Sequence, residues 1–190
     1  MRTLSMRQVR RGVVCAAVVG LTWPAFQVSA AGPAKHAAGS AQFLSWNAKK
    51  HTVTFQLTAG LTSDNHTLNF NGYTSGGMVV SVPKGYKVKV VFTNKSTFPH
   101  SAVVTLFADK SSSGDHPLAF PGASTTNPVA GTAPSATETF SFKAKKVGTY
   151  AIICEVGHHA DAGMWDVFKV TNGKQPSIKL TAAPSPTPTP

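Results

Sequence analysis

Arginine is absent beyond position 11, so every cationic side chain in the remainder is a lysine. The whole chain carries only 7 Asp and Glu against 18 Lys and Arg, a formal net charge of +11. Cysteine occurs twice, at Cys15 and Cys154. No apolar run is long enough to cross a bilayer as a helix, because the stretch from Gly12 to Leu21 is short and Trp23-Pro24 interrupts it. Helical periodicity is almost missing. There is no Gly-x-Ser-x-Gly, phosphate loop or dinucleotide fingerprint, no carboxylate pairing of the glycosidase kind and no internal repeat. The missing arginine and the scattered lysines speak against nucleic acid as a partner. With so few carboxylates, little stability depends on keeping acids ionised, and tolerance of low pH is expected.

The first thirty residues read as a secretory leader. Arg2, Arg7, Arg10 and Arg11 supply the positive start, Gly12–Leu21 the apolar core, and Val28-Ser29-Ala30 the small residues of a cleavage site. Retained instead, the same segment would act as a membrane anchor. Cys15 lies inside the apolar core, the wrong place for a lipidated first residue. The expected location is therefore extracytoplasmic: secreted, periplasmic or on the outer face of the cell membrane. Residues 31–40 form a flexible lead-in, 41–181 one domain and 182–190 a Pro-, Thr- and Ser-rich tail of extended polyproline type.

Within the domain the patterning is that of strands. Thr52–Leu57, Met78–Val82, Tyr86–Phe92, Thr137–Lys143 and Trp165–Val170 alternate or run apolar, and Leu68–Phe70 and Ser101–Phe107 are shorter candidates. Pro83-Lys84-Gly85 and Asn94-Lys95 mark turns, and 111–136 is a long Ser-, Gly-, Pro- and Ala-rich loop. Gly148–Cys154 is apolar on both faces, which predicts a central strand, and Trp165–Val170 is expected to close the sheet. Seven or eight such strands predict an all-β, Greek-key two-sheet sandwich.

In an oxidising compartment a lone cysteine cannot be half of an internal disulfide, and a free thiol would be an oxidation hazard. Cys154 is followed by His159 and then by Met164 at the same interval. Thiolate, imidazole and thioether on one short loop are three of the four ligands of a blue-copper centre, the thioether suiting a weak axial bond. The fourth should be a distant histidine. His100, after Pro99 and 54 residues upstream of Cys154, fits if strand ends meet at one pole of the sandwich. Singly, each of these residues has a bland reading as core or surface; jointly they predict one type 1 copper held by His100, Cys154, His159 and Met164. A thioether is a poor reason to select zinc. His158 could ligate in place of His159, but the spacing prefers His159. His36, His51, His66 and His116 read as non-ligands, and Met78 as core or as packing beneath the site. Asn65-His66-Thr67 and Asn94-Lys95-Ser96 match the glycosylation pattern.

The chain resembles the sulfocyanins, the rusticyanin-like branch of the cupredoxins. The resemblance runs from Leu68 to Val170 and rests on Asn69–Gly72, Gly77-Met78, Val82–Gly85, Phe92–Asn94, Pro99-His100, Ala119–Ala123, Gly148–Tyr150 and the block from Cys154 to Trp165. It implies a cupredoxin sandwich, one type 1 copper on the same four residues, and transfer of single electrons between respiratory redox proteins outside the cytoplasm. It also implies frequent membrane tethering. Two departures stand out. The family loop Cys-Gly-Val-Pro-Gly-His reads Cys154-Glu155-Val156-Gly157-His158-His159 here, and Ser101 occupies the position after the upstream histidine where asparagine is frequent.

The expected partners are a redox donor and acceptor, acidic or membrane-bound, meeting an apolar patch formed by Gly157, Ala160, Ala162 and Phe120-Pro121 around His159; a monomer is expected. An enzymatic role would need a second copper with extra histidines, such as a His-x-His pair, which the chain lacks. A copper delivery or storage protein, the alternative reading, would favour exposed methionine or histidine clusters. A secreted scaffold would make the Cys-His-Met pattern coincidence.

Overall fold

The computed structural model describes residues 42–112 and 114–181. The leader, the lead-in and the tail lie outside the described residues. The described residues hold nine strands: β1 Leu44–Asn47, β2 Thr52–Ala59, β3 Met78–Pro83, β4 Lys87–Asn94, β5 Val103–Leu106, β6 Thr137–Lys143, β7 Gly148–Ile153, β8 Trp165–Thr171 and β9 Ser177–Leu180. They form two sheets, ordered β1-β2-β4-β6 and β5-β7-β8-β3-β9. The β2–β4 and β3–β8 pairs are parallel and the others antiparallel. A parallel pair cannot be joined by a hairpin. The chain passes from β2 through β3, in the other sheet, before returning as β4, and this switching between layers is the Greek-key sandwich.

Period-two patterning sets the layer contact. In β2, Val53, Phe55, Leu57 and Ala59 are buried; in β4, Val88, Val90 and Phe92 are buried while Lys87 and Lys89 face water. Burying each such phenylalanine contributes roughly 2–3 kcal/mol. Across the layer stand Val80, Val82, Phe168 and Val170. Phe120 fills the gap between sheets, its ring 5.3 Å from Phe142 and 4.8 Å from Tyr150.

Several expectations change in detail. β7 is internal, as its two-sided apolar pattern predicts. β8 does not close its sheet: it lies between β7 and β3, and the edge is β9, a four-residue strand with no sequence signal strong enough to announce it. β1, equally short, is the other unannounced strand. Leu68–Phe70 forms only bridges, from Phe70 to Ala59 and Tyr73. The loop spanning 111–136 contains no strand among its described residues, but two bridges, Val103–Ser124 and His100–Thr132, pin it along β5 and the segment leading into it.

Candidate metal centre

β7 ends at Ile153, and the next residue, Cys154, is 1% exposed in the core between the sheets. His100, fully buried, precedes β5, which pairs with β7 so that Val103 faces Ile153. This pairing is what brings two residues 54 positions apart to one pole. The Cys154 Sγ lies 3.3 Å from His159 Nδ1 and 3.7 Å from His100 Nδ1. The donor atoms of the three residues all fall within 4.8 Å of one another. The two imidazoles stand 4.8 Å apart at 46°.

The ligand loop closes on itself. The Met164 N–H donates to His159 O at 2.9 Å and the Cys154 N–H to Met164 O at 3.2 Å, so Met164, fully buried in the same cluster as Cys154, is tied by its backbone to both. His158 turns away. Its φ is +48°, its side chain is exposed, and its Nδ1 lies 3.0 Å from Asp161 Oδ2. Of the two adjacent histidines, the His159 ring is the one that lies beside the sulfur.

Burial keeps both imidazoles unprotonated and so free to donate a lone pair to a metal. Burial, and then the neighbouring His159, lowers the pKa of His100 to about 4, and burial also lowers that of His159. Burial pushes the Cys154 thiol up, opposed by hydrogen bonds from the Ser101 and Val156 N–H groups. Two neutral imidazoles with Nδ1 atoms aimed at a desolvated sulfur form a soft donor set, and a bound metal ion would deprotonate the thiol outright. Among the described residues this is the one group of three or more His, Cys, Asp or Glu side chains with converging donors. The residues present therefore fit one copper ion.

The surrounding polar groups order the ligands. The Ser101 N–H donates to Cys154 Sγ at 3.3 Å, while its Oγ accepts the Glu155 N–H at 2.9 Å; serine thus ties the two ligand segments. Asn94, fully buried, donates from Nδ2 to Phe98 O at 2.7 Å and Thr132 O at 2.9 Å. Thr132 in turn exchanges backbone hydrogen bonds with His100 at 2.7 and 3.2 Å. Glu138 on β6 accepts from the Thr132 hydroxyl and from the Thr126 N–H and hydroxyl, both at 2.8 Å. Asn65 Nδ2 donates to Leu68 O and Ala162 O, each at 2.9 Å, holding the loop before Met164. Both asparagines of the glycosylation-like triplets thus spend their amide nitrogens on the fold around the site.

Sequence reasoning did not single out Asn65, Asn94, Thr132 or Glu138 as site residues. The one available signal was the pair of Asn-x-Ser/Thr triplets, which carry a different meaning by pattern. His116, read from the sequence as a non-ligand, has another role: its N–H donates to Glu155 Oε1 at 2.9 Å, with Nδ1 3.3 Å from the same oxygen. The carboxylate is buried, and burial raises its pKa against the opposing pull of His116. Met78 is core, its sulfur 3.7 Å from Asn71 Nδ2. The expected patch needs correcting. Ala160 is 1% exposed and Phe120 is core, while Pro121 lines a cleft with Lys87 and Lys143. Gly157 and Ala162 are exposed, as are Phe98 and Val129, which lie close in the chain to His100 and to Gly131 beside it.

The chain is similar to several known proteins. The family model for the sulfocyanin (SoxE) domain matches residues 39–177. A curated sulfocyanin from Sulfolobus acidocaldarius is 29% identical over 134 residues, covering 67% of each chain. Among solved structures, reduced auracyanin from the photosynthetic bacterium Roseiflexus castenholzii is 22% identical with a TM-score of 0.44, covering 62% of this chain and 96% of that one. Rusticyanin from Thiobacillus ferrooxidans is 21% identical with a TM-score of 0.43, covering 64% of this chain and 82% of that one.

Proposed function

The chain belongs to the sulfocyanin (SoxE) domain family, and from that premise we propose that it is an extracytoplasmic type 1 copper protein that carries single electrons between redox partners. The observation that carries this reading is the convergence of His100 Nδ1 and His159 Nδ1 on the buried Cys154 sulfur. Copper bound there would supply reversible Cu(II)/Cu(I) exchange. His100, Cys154 and His159 are the proposed strong ligands and Met164 the proposed axial one.

The protein's own contribution is rigidity and exclusion of water. Ser101, Asn94 and Thr132 fix the ligands by hydrogen bonds that need not change with oxidation state, which keeps reorganisation small. Apolar burial around Cys154 and Met164 disfavours the more highly charged metal state and so raises the potential. His100 is sealed, whereas His159 is only half-buried, so the His159 ring is the proposed exit for the electron. Gly157, Ala162, Phe98 and Val129 supply a small apolar contact area, suited to a short-lived complex.

The proposed donor and acceptor are redox proteins, at least one of them membrane-bound. An acidic partner at this face loses support, because Asp161 and Asp64 lie beside the ligand loop and few lysines do. Location in the periplasm, in secretion or on the outer face of the cell membrane, and action as a monomer, complete the proposal.

The test is a Cu(II) titration followed by visible absorption and EPR. An intense thiolate-to-copper band with narrow copper hyperfine splitting, saturating at one copper per chain and abolished in a folded Cys154→Ser variant, is expected. A protein showing only weak d–d absorption would overturn the electron-carrier reading.

A further inference from the structure

Charge is unevenly divided between the two ends of the strands, with few lysines, Lys95 and Lys110 among them, near the metal end. β4 runs from Lys87 to Asn94, and Asn94 bonds to the segment beside His100, so Lys87 stands about 23 Å from the metal pole at an ordinary strand rise. The connections at that far end are the β1–β2, β3–β4, β6–β7 and β8–β9 turns. They contribute Lys49 and Lys50, Lys84, Lys145 and Lys146, and Lys174 respectively, all exposed, and not one carboxylate. The acids lie elsewhere. Glu155, Asp161 and Asp166 flank the ligands, Glu138 and Asp64 sit on segments bonded to the site, and Asp109 and Asp115 belong to the segment whose His116 reaches Glu155.

The lysine pole has no internal compensation. Lys87 and Lys143 are direct cross-strand partners, a like-charge pairing that costs stability. Among the described residues both ion pairs use histidine, and no lysine of this pole has a carboxylate within salt-bridge distance. A cleft of about 570 Å3 opens there, lined by Lys50, Lys87, Lys143 and Lys145 with His51 and Pro121.

We propose that the lysine-rich pole formed by these four turns is a docking surface for an anionic lipid membrane, binding phosphate headgroups and holding the chain with its other pole outward. The cleft receives a headgroup phosphate, while the flanking turn lysines engage neighbouring headgroups. A single small anion would satisfy only the cleft and leave the lysines of the other turns unmatched. A redox partner at this pole would face the whole depth of the sandwich between itself and the ligands, and electron transfer falls off exponentially with distance. The solvent-facing acids outside the lysine pole, Asp64, Asp115, Glu138 and Asp161, are repelled by the same membrane, which favours one orientation, whereas Glu155 and Asp166 are buried and take no part. That this orientation presents a copper site to soluble partners rests on the function proposed above; the lipid binding itself does not.

The experiment uses the full chain, copper-free and copper-loaded, with vesicles of phosphatidylcholine alone or mixed with phosphatidylglycerol. One variant changes Lys50, Lys87, Lys143 and Lys145 to Gln. A control of identical net charge changes Lys89, Lys95, Lys169 and Lys179 to Gln. Binding only to the anionic vesicles is expected, equal with and without copper, steeply weakened by salt, and roughly 100-fold weaker in the pole variant but within about threefold in the control. Arginine at the four pole positions should restore it, which separates lost charge from lost folding. Equal losses in both variants, or none in either, would overturn the proposal. So would binding of tripolyphosphate, or of polyglutamate, through the pole without binding of vesicles.

Discussion

Ser101 serves both ligand segments, through its backbone N–H and its hydroxyl. Its N–H points at Cys154 Sγ and its Oγ accepts from Glu155, so one residue beside a ligand histidine fixes the residue carrying the thiolate and the one after it. In Ser101→Ala the Glu155 N–H loses its acceptor in a buried setting. A loss of about 1–2 kcal/mol in unfolding free energy is expected. The copper-loaded variant should also show a shifted charge-transfer band, because the Ser101 hydroxyl 3.8 Å from Cys154 Sγ is removed while the backbone N–H stays; an unchanged spectrum and an unchanged urea midpoint would refute the role. The convergence of His100, Cys154 and His159 was legible in the sequence because it follows from residue type and spacing: Cys154 and His159 sit on one loop, and Pro99-His100 precedes a strand. The supporting residues were not legible, because Asn94, Thr132 and Glu138 act through hydrogen bonds between chain-distant segments and no local pattern encodes such a bond.

At the level of the elements, the segments flanking His100 depend on one close approach. Gly131 has φ +79°, and a Cβ there would lie 2.6 Å from Val156 Cγ2 and 3.1 Å from the His100 nitrogen. The Thr126–Thr132 segment must pass between the upstream histidine and the ligand loop, and only glycine leaves room. Gly131→Ala should therefore cost roughly 1–3 kcal/mol from the left-handed backbone and the overlap. It should also weaken copper retention in a chelator competition, since His100 exchanges backbone bonds with the adjacent Thr132. Retention equal to that of the parent chain would show that the approach is slack. Elements with several alternations, such as Thr52–Ala59 and Lys87–Asn94, could be read directly from the chain, and Thr137–Lys143 was found with the predicted bounds. The strands that escaped notice, Leu44–Asn47 and Ser177–Leu180, have four residues each and lie at sheet edges, where packing on a neighbour rather than their own pattern makes them strands. The shortening of the Ser101–Phe107 candidate to Val103–Leu106 has a related cause: Ser101 is diverted to the site, and Ala102 pairs with Thr125 outside any named strand.

Over the whole molecule, acid response is a sum in which the metal decides the sign. His100 is held near 4 against an ordinary 6.5, and His159 is lowered in the same direction. A folded-state pKa below the unfolded one contributes stability that is complete above pH 6.5 and is lost as pH falls through the folded value. For His100 that contribution is about 3 kcal/mol. Glu138, lowered by its threonine hydrogen bonds against the opposing effect of burial, acts likewise at lower pH. Asp166 and Glu155, both raised by burial, act oppositely: their contribution is present below the ordinary carboxylate range and is lost as pH rises through their folded values. A metal held by the imidazoles blocks their protonation, so in the loaded protein the histidine loss moves to lower pH while the two buried carboxylates still favour the folded state in acid. Scarcity of carboxylates alone is therefore an incomplete argument for acid tolerance, and it applies to the loaded form. Urea unfolding at pH 7, 5.5 and 4 tests this, with Asp166→Asn as a background in which the most strongly raised carboxylate no longer titrates. In that background the copper-free protein should lose about 3 kcal/mol between pH 7 and 4, and the loaded protein markedly less over the same range. Parallel curves for the two forms would mean that the metal does not hold His100 and His159 in their neutral state, and would return the acid response to the carboxylates alone.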